Sequence, residues 1–180
     1  MPTPVGHALG GLATVWFAAA ITRERPSNTF VVACAIAAMA PDLDILVNSH
    51  RTYAHSIGAA AIVGAGAWFV RRRACPRASP SPAFAALTIA AAYASHIVLD
   101  LLAKDTAEPL GLMALWPFSS RFYISGADLF MEVSRRYWKF DEFIVGNFTA
   151  VGWELILLAP VVALAWWLQE DSQKTIGDRR

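Results

Sequence analysis

The sequence has little charge and little cysteine. Only 16% of its 180 residues are charged, against roughly 25% in an ordinary globular domain. The net charge of +1 supplies no basic face for nucleic acid, so we expect no nucleic-acid binding. Cys34 and Cys75 form neither a disulfide framework nor a CxxC metal pair, and we expect both to be structurally ordinary. The opening MPTPVGHALGG has no Lys or Arg, which argues against a cleavable signal peptide.

Hydrophobic residues, in contrast, make up 56% of the chain, and the mean hydropathy is +0.43. Five apolar stretches are predicted to be helices: Val5 to Ile21, Phe30 to Val47, Ser56 to Val70, Ala83 to Ala103 and Ala150 to Leu168. The expected fold is an all-α, polytopic transmembrane bundle of about five helices. Four is the alternative if the first stretch only lies in the interface. We expect one integral-membrane domain, residues 1–180, with residues 104–148 as an extramembrane or interfacial segment.

The basic residues predict an orientation in the membrane. With the N-terminus outside, a majority of them fall in the cytoplasm: Arg23, Arg25, Arg71, Arg72, Arg73, Arg77, Lys174, Arg179 and Arg180. Between Arg121 and Lys139, aromatic residues including Tyr137 interleave with charges. That pattern is typical of an amphipathic element on the outer surface, and a solvated loop is the alternative.

All four histidines and three aspartates fall at one edge of the predicted bundle, on four different helix ends. These seven residues are His7, Asp42, Asp44, His50, His55, His96 and Asp100. Ionisable groups in membrane segments are costly and therefore point to function. A shared position on the extracytoplasmic side indicates a metal site that faces outward; the alternative is an inverted protein with a cytoplasmic site.

Spacing supports ligation of a metal. His96 and Asp100 are four residues apart, which places them on one helix face. Pro41 interrupts the second helix, so Asp42 and Asp44 can point the same way if the chain there is irregular; a regular helix would splay them by about 200°.

The donor set suggests hydrolytic chemistry. Seven N and O ligands suit one or two divalent ions, with open positions for water, and zinc is the expected metal with manganese as the alternative. Such ions can activate water and polarise an ester. Asp44 and Asp100 are the candidate proton acceptors. Arg51, between His50 and His55, is the candidate group that grips a phosphate.

Each residue also has a simpler interpretation. A single membrane histidine often serves only helix packing, and the two aspartates of PDLD can cap a helix end. Arg51 can be a side chain that reaches to the interface. Glu154 is expected at the membrane interface, and the segment from Trp116 to Phe118 is expected to be an aromatic anchor with a turn. A coincidence that involves all four histidines is much harder to accept.

The ordered motifs GH, APDLD, HRxxxHS, SHxxxD and WPF resemble those of the LexA-regulated, membrane-bound, predicted metal-dependent hydrolases of bacteria. The matching portion runs from about His7 to Arg121. The resemblance implies an inner-membrane protein, a metal site formed by the seven residues above, and hydrolase activity. The family commonly shows HRGxTHS, whereas this chain has Thr52 and Ala54 in that stretch, so a local turn or hydroxyl contact is expected to differ.

The expected function is hydrolysis of a phosphoester in a membrane lipid or lipid-like substrate, by a metal-activated water. Two alternatives belong to other classes. A metal or proton transporter would use His and Asp along an ion path, but the cytoplasmic halves of the apolar stretches are nearly free of ionisable residues. A metal-stapled structural protein would have a closed coordination shell. The sequence leaves the oligomeric state open.

Overall fold

The computed structural model describes residues 1–47, 50–74, 80–134 and 138–177. These residues form five α-helices and only isolated β-bridges, which confirms the predicted all-α class. The helices are α1 (Pro4–Thr22), α2 (Asn28–Met39), α3 (Ile57–Ala74), α4 (Pro82–Leu101) and α5 (Phe140–Gly177), and two 3-10 helices, Ala40–Val47 and Tyr53–His55, lie between α2 and α3. Cys75, Arg77, Tyr137, Arg179 and Arg180, about which the sequence made predictions, lie outside the described residues.

Four segments of the described chain are long and apolar enough to cross a membrane: Pro4–Thr22, Asn28–Leu46, Pro82–Leu101 and Phe143–Thr175. The helix that falls short is α3, because three arginines occupy its last turn. The alternative of four spans assumed that the first stretch does not cross the membrane. That stretch, Pro4–Thr22, is long and apolar enough to cross it.

Hydroxyl side chains begin three of the helices. Thr3, Ser27 and Ser81 each stand at the N-cap and accept a hydrogen bond from a backbone N–H of the first turn. Proline follows directly in α1 and α4, where its missing N–H costs nothing. The apolar runs therefore start where a cap is available.

The first deviation from the predicted bounds is at the end of α2. The apolar run to Val47 was expected to be helical with an interruption at Pro41; the α-helix ends at Met39 and a 3-10 helix continues from Ala40. Pro41 has no N–H for the α-helical ladder, which explains the change.

The second deviation is the length of α5. It begins at Phe140 rather than Ala150 and ends at Gly177 rather than Leu168. The polar residues Asp141 and Asn147 interrupt the apolar run without interrupting the helix. With 38 residues at about 1.5 Å each, α5 exceeds the roughly 30 Å of a bilayer core.

The core of the bundle is built from small side chains. α1 packs against α2, α4 and α5, and α3 packs against α4. A Cβ added at Gly11 would lie 2.7 Å from the Cys34 carbonyl oxygen, so glycine permits the approach of α1 to α2. Cys34 itself is fully buried in this core beside Val15 and Ala92, as expected of a structural cysteine.

The segment between α4 and α5 is irregular over its described residues up to α5. Isolated bridges join Ala103 to Phe130 and Leu112 to Tyr123. The described part of the stretch from Arg121 to Lys139 contains no helix; the amphipathic surface element and the solvated loop both stay predictions. The WPF residues form the expected turn, in which the Phe118 side chain is exposed.

Candidate metal centre

The helices bring all seven predicted His and Asp ligands to one end of the bundle. His7 lies near the start of α1, and the pair His96 and Asp100 lies in the last turns of α4. The two 3-10 helices between α2 and α3 supply Asp42, Asp44 and His55, while His50 lies in the connection that joins them. His7, His55 and His96 are completely buried.

Three imidazoles point their Nε2 atoms at the same two carboxylates. Nε2 lies 3.5 Å from an Asp100 oxygen in His7, 3.5 Å in His55 and 3.2 Å in His96. The three corresponding distances to Asp42 are 3.9, 3.6 and 3.7 Å. The side chains therefore surround one small volume.

Asp42 and Asp44 hold the two nitrogens of His55. Asp42 faces Nε2, and an Asp44 oxygen lies 3.0 Å from Nδ1. In a 3-10 helix of three residues per turn, positions two apart diverge by about 120°, which lets the two carboxylates straddle one ring. The two aspartates therefore do not point the same way, as the sequence suggested for an irregular chain, but contact opposite nitrogens of the His55 ring. The other Asp44 oxygen lies 2.7 Å from Nδ1 of His50, at the edge of the cluster.

Hydrogen bonds outside the cluster fix the orientation of its members. Nδ1 of His96 lies 2.8 Å from the carbonyl oxygen of Ala38. Donation to that carbonyl selects the tautomer whose Nε2 carries the lone pair. The Tyr93 hydroxyl, on the same face of α4, donates to the Ala54 carbonyl and anchors the turn that carries His55.

The buried atoms fit a metal ion because they lack other partners. Nine buried side-chain atoms of six residues make no hydrogen bond, although they lie within ion-pair distance of one another. They are both ring nitrogens of His7 and His55, Nε2 of His96, both Asp100 oxygens, Oδ1 of Asp42 and Oδ2 of Asp44. Buried polar atoms are rarely left unpaired. Lone pairs from imidazole and carboxylate are zinc-type ligands.

Two groups within the cluster could each hold an ion. One is His7, His96 and Asp100, and the other is Asp42, His50 and His55; in each, the ligand atoms lie within 4.8 Å of one another. This arrangement accommodates the one or two ions expected from the sequence.

The protonation of His55 responds to its neighbours. Burial by itself would lower the pKa of His55, but the carboxylates of Asp42 and Asp44 outweigh that effect and raise the pKa to about 9. Without metal, His55 is therefore an imidazolium at neutral pH. A metal ion would have to displace this proton.

A cavity of about 620 Å³ opens beside the cluster. Asp42 and Arg51 line it together with Thr106 and Glu132, and apolar side chains such as Ile45 complete the wall. Asp42 is the more exposed of the central carboxylates, at 21% against 1% for Asp100. Asp42 thus marks the point where the cluster meets the cavity.

Arg51, the predicted phosphate-binding residue, is held by the loop after α4. Its Nη1 donates to an Asp105 carboxylate oxygen at 2.6 Å and to the Ala107 carbonyl at 3.0 Å. Its backbone has φ of 67°, so the left-handed residue of this turn is Arg51 rather than Thr52. Arg51 therefore lines the cavity and also fixes its rim.

Sequence reasoning missed two acidic residues near the centre. Asp105 organises the cavity rim by binding Arg51 and accepting from the Gly111 N–H at 2.7 Å. Glu154, which was expected at the membrane interface, is fully buried against Thr3 at the start of α1. A single carboxylate inside the apolar run of α5 was the available signal.

The fold and the cluster together define an integral membrane protein with a group of His and Asp residues that could bind a metal ion. The chain belongs to the YdjM inner membrane protein family, whose model matches residues 1–173. This match supports the membrane-bound bacterial class that the motifs indicated. Searches of curated proteins and of solved structures each found no match.

Proposed function

We propose that this protein is a membrane-embedded, metal-dependent hydrolase of phosphoester bonds in lipid-like substrates. The observation that carries the proposal is the set of buried, unpaired ligand atoms beside a cavity. Three largely buried carboxylates need compensating positive charge, and the adjoining cavity gives a substrate access to the same place.

Zinc is the proposed ion, held by the seven His and Asp residues, with manganese as the alternative. A divalent ion bound there supplies Lewis acidity and lowers the pKa of a water molecule towards 7. Asp44 is the first proposed proton acceptor; its contact with His50, whose side chain is 15% exposed, places it at the edge of the cluster. Asp100 is the second candidate, although it is enclosed by the imidazoles.

A lipid-like substrate follows from the walls of the cavity. Arg51, Thr106 and Glu132 provide polar surface, whereas Ile45 and Val133 provide apolar surface. The cavity lies at the end of helices that are apolar enough to span a membrane. A phosphate headgroup can therefore reach the cluster while its chains stay in the bilayer.

The basic residues support an extracytoplasmic site. Arg23 and Arg25 follow α1 and Lys174 lies in the last turn of α5, at the end of these helices away from the cluster. The Arg25 guanidinium donates to the Gln173 side chain at 2.6 Å, which ties these ends together. Since basic residues favour the cytoplasm, the cluster is proposed to face outward.

An enzyme explains the charge distribution better than a transporter does. Beyond the cluster residues, α1, α2 and α4 contain no ionisable side chain other than Tyr93 and Cys34. An ion path across the membrane would need polar groups along its length. The polar groups of these three helices are instead concentrated at one end.

The test is metal content and turnover of the detergent-purified protein. Zinc and manganese are measured in the wild type, in His96→Ala and Asp44→Ala, and in the exposed control Asp141→Asn. Release of headgroup or phosphate is measured with phosphodiester and phosphomonoester lipids. We expect one or two ions per chain and turnover in the wild type and the control, with both reduced in the cluster variants. Absence of metal would overturn the metal centre, and bound metal without turnover on any lipid phosphoester would overturn the hydrolase.

A further inference from the structure

Glu154 on α5 is a completely buried carboxylate outside the His and Asp cluster. Both of its oxygens accept hydrogen bonds from one residue on another helix end. The Thr3 N–H donates to Oε1 at 2.6 Å, and the Thr3 hydroxyl donates to Oε2 at 2.5 Å. Hydrogen bonds to an ionised acceptor are strong, so this pairing fixes Glu154 against the start of α1.

Thr3 connects this carboxylate to the first turn of α1. Its hydroxyl oxygen accepts from the N–H groups of Val5 and Gly6, at 3.2 and 3.4 Å, and its carbonyl accepts from the His7 N–H at 3.1 Å. A hydroxyl has one hydrogen and two lone pairs. Because the hydrogen is donated to Glu154, the lone pairs are turned towards the helix.

Gly6 allows the carboxylate to approach the helix backbone. A Cβ at this position would lie 2.8 Å from Oε2 of Glu154, closer than real Cβ contacts. The negative charge therefore lies against the start of α1, where the helix dipole favours an anion. Gly6 immediately precedes His7, whose ring stacks on His96 at 3.6 Å.

We propose that Glu154 is a positioning residue for the metal centre, acting through Thr3 on His7. By holding the cap of α1 it fixes where the first turn begins, and hence where the His7 ring meets Asp100. This inference rests on the proposed metal site but not on the reaction. In this proposal α5 supplies none of the seven ligands, but its Glu154 controls the geometry of the site.

The test is titration of the full-length, metal-depleted protein with cobalt(II) and zinc in detergent. Loss of an outer partner of a metal ligand typically weakens binding by roughly 10- to 100-fold, so we expect at least about tenfold weaker binding in Glu154→Ala and Thr3→Val. Thr3→Ser keeps both the donor and the cap and should bind as the wild type does. Glu154→Gln keeps one acceptor and should be intermediate.

Two controls separate positioning from general damage. Gln169→Ala alters another buried polar residue of α5 and should leave metal affinity unchanged. In a His7→Ala background, Glu154→Ala should cause no further loss of affinity, because its route to the metal is already removed. The cobalt absorption bands of Glu154→Ala should shift towards those of His7→Ala.

The outcomes distinguish this inference from the proposed function. If the wild-type protein binds neither cobalt nor zinc, the metal centre itself is overturned. If it binds metal, and Glu154→Ala binds equally well or adds its full loss to that of His7→Ala, the positioning role is overturned. A folded Glu154→Ala variant, judged by its helix content in circular dichroism, is required for both comparisons, and Glu154→Gln takes its place if the alanine variant unfolds.

Discussion

The imidazole rings of His7 and His96 stack with their centroids 3.6 Å apart and their planes within 15°. Their Nε2 atoms face the two different oxygens of Asp100, at 3.5 and 3.2 Å. Two imidazolium rings would repel one another in this arrangement, whereas two neutral rings can share the carboxylate with a cation. Asp100 of α4 therefore contacts both the histidine of α1 and the histidine of α4.

Asp100→Asn should abolish most metal binding. The substitution preserves shape but removes the negative charge at the centre, so the loss should exceed the roughly 10- to 100-fold caused by removal of an outer partner. Isothermal titration of the metal-depleted protein measures it. Asp105→Asn, a matched change at the cavity rim, should keep wild-type affinity. Equal affinities for the wild type and Asp100→Asn would remove Asp100 from the ligand set.

The fold was predictable where apolar runs match helices. Three of the five stretches, those of α1, α3 and α4, produced helices within four residues of their expected ends, because a cap or a charge coincides with the change in hydropathy. The start of α5 was not predictable, since Asp141 and Asn147 interrupt the apolar run but remain helical. The change from α-helix to 3-10 helix at the end of α2 was not predictable either, because the helix type that follows Pro41 depends on how that segment packs.

The site was predictable in its members but not in its internal contacts. His and Asp at alternating helix ends must meet if the helices are antiparallel neighbours, and they do. The contacts of Asp42 and Asp44 with opposite sides of the His55 ring depend on the 3-10 helix, which the sequence did not predict. The bond between Thr3 and Glu154 joins residues 151 positions apart, and no local pattern in a single sequence specifies such a pair.

Metal affinity should rise with pH. The carboxylates around His55 raise its pKa to about 9, against the opposing effect of burial, and a metal can bind only the neutral ring. Below pH 9 the apparent affinity should therefore fall by about tenfold per pH unit from this residue alone. Calorimetry at pH 7 and 8, in buffers with different ionisation enthalpies, would report the released proton.

The comparison variant for this pH dependence is His55→Ala, which should bind more weakly but with a shallower slope. Affinity that is independent of pH between 7 and 8 in the wild type would show that His55 releases no proton on binding. It would then lie outside the coordination sphere.

Arg51 and Asp105 should behave as one unit in turnover. Their ion pair is largely buried, with 14% and 6% of the side chains exposed, and it holds the rim of the cavity. Arg51→Ala and Asp105→Ala should each slow hydrolysis while retaining metal. The loss in the double variant should be smaller than the sum by about 1 kcal/mol or more, as is typical of residues in direct contact.

A different result would assign Arg51 another role. If Arg51→Ala lowers kcat/KM while Asp105→Ala leaves it unchanged, the guanidinium acts on the substrate phosphate independently of the rim. Activity measurements on the same lipid with all four proteins decide between these outcomes. Metal content is the control that both substitutions leave the centre intact.

Gly64 and Gly66 offer a matched pair for testing how α3 is held. A Cβ at Gly64 would lie 2.7 Å from the Ala90 Cβ and 3.0 Å from the Ala86 carbonyl oxygen on α4, whereas nothing lies within 4 Å of one at Gly66. Overpacking costs about 1–3 kcal/mol, while an unhindered alanine in a helix gains up to about 1 kcal/mol over glycine. Gly64→Ala should therefore destabilise the protein and Gly66→Ala should not.

Thermal unfolding in one detergent, with metal removed, measures this difference without any contribution from the site. Because the turn bearing His55 leads directly into α3, displacement of the helix should also weaken metal binding in Gly64→Ala. The two effects should appear together, since both arise from the same contact of α3 with α4. Equal unfolding temperatures for the two variants would show that α3 packs less closely on α4 than these distances indicate.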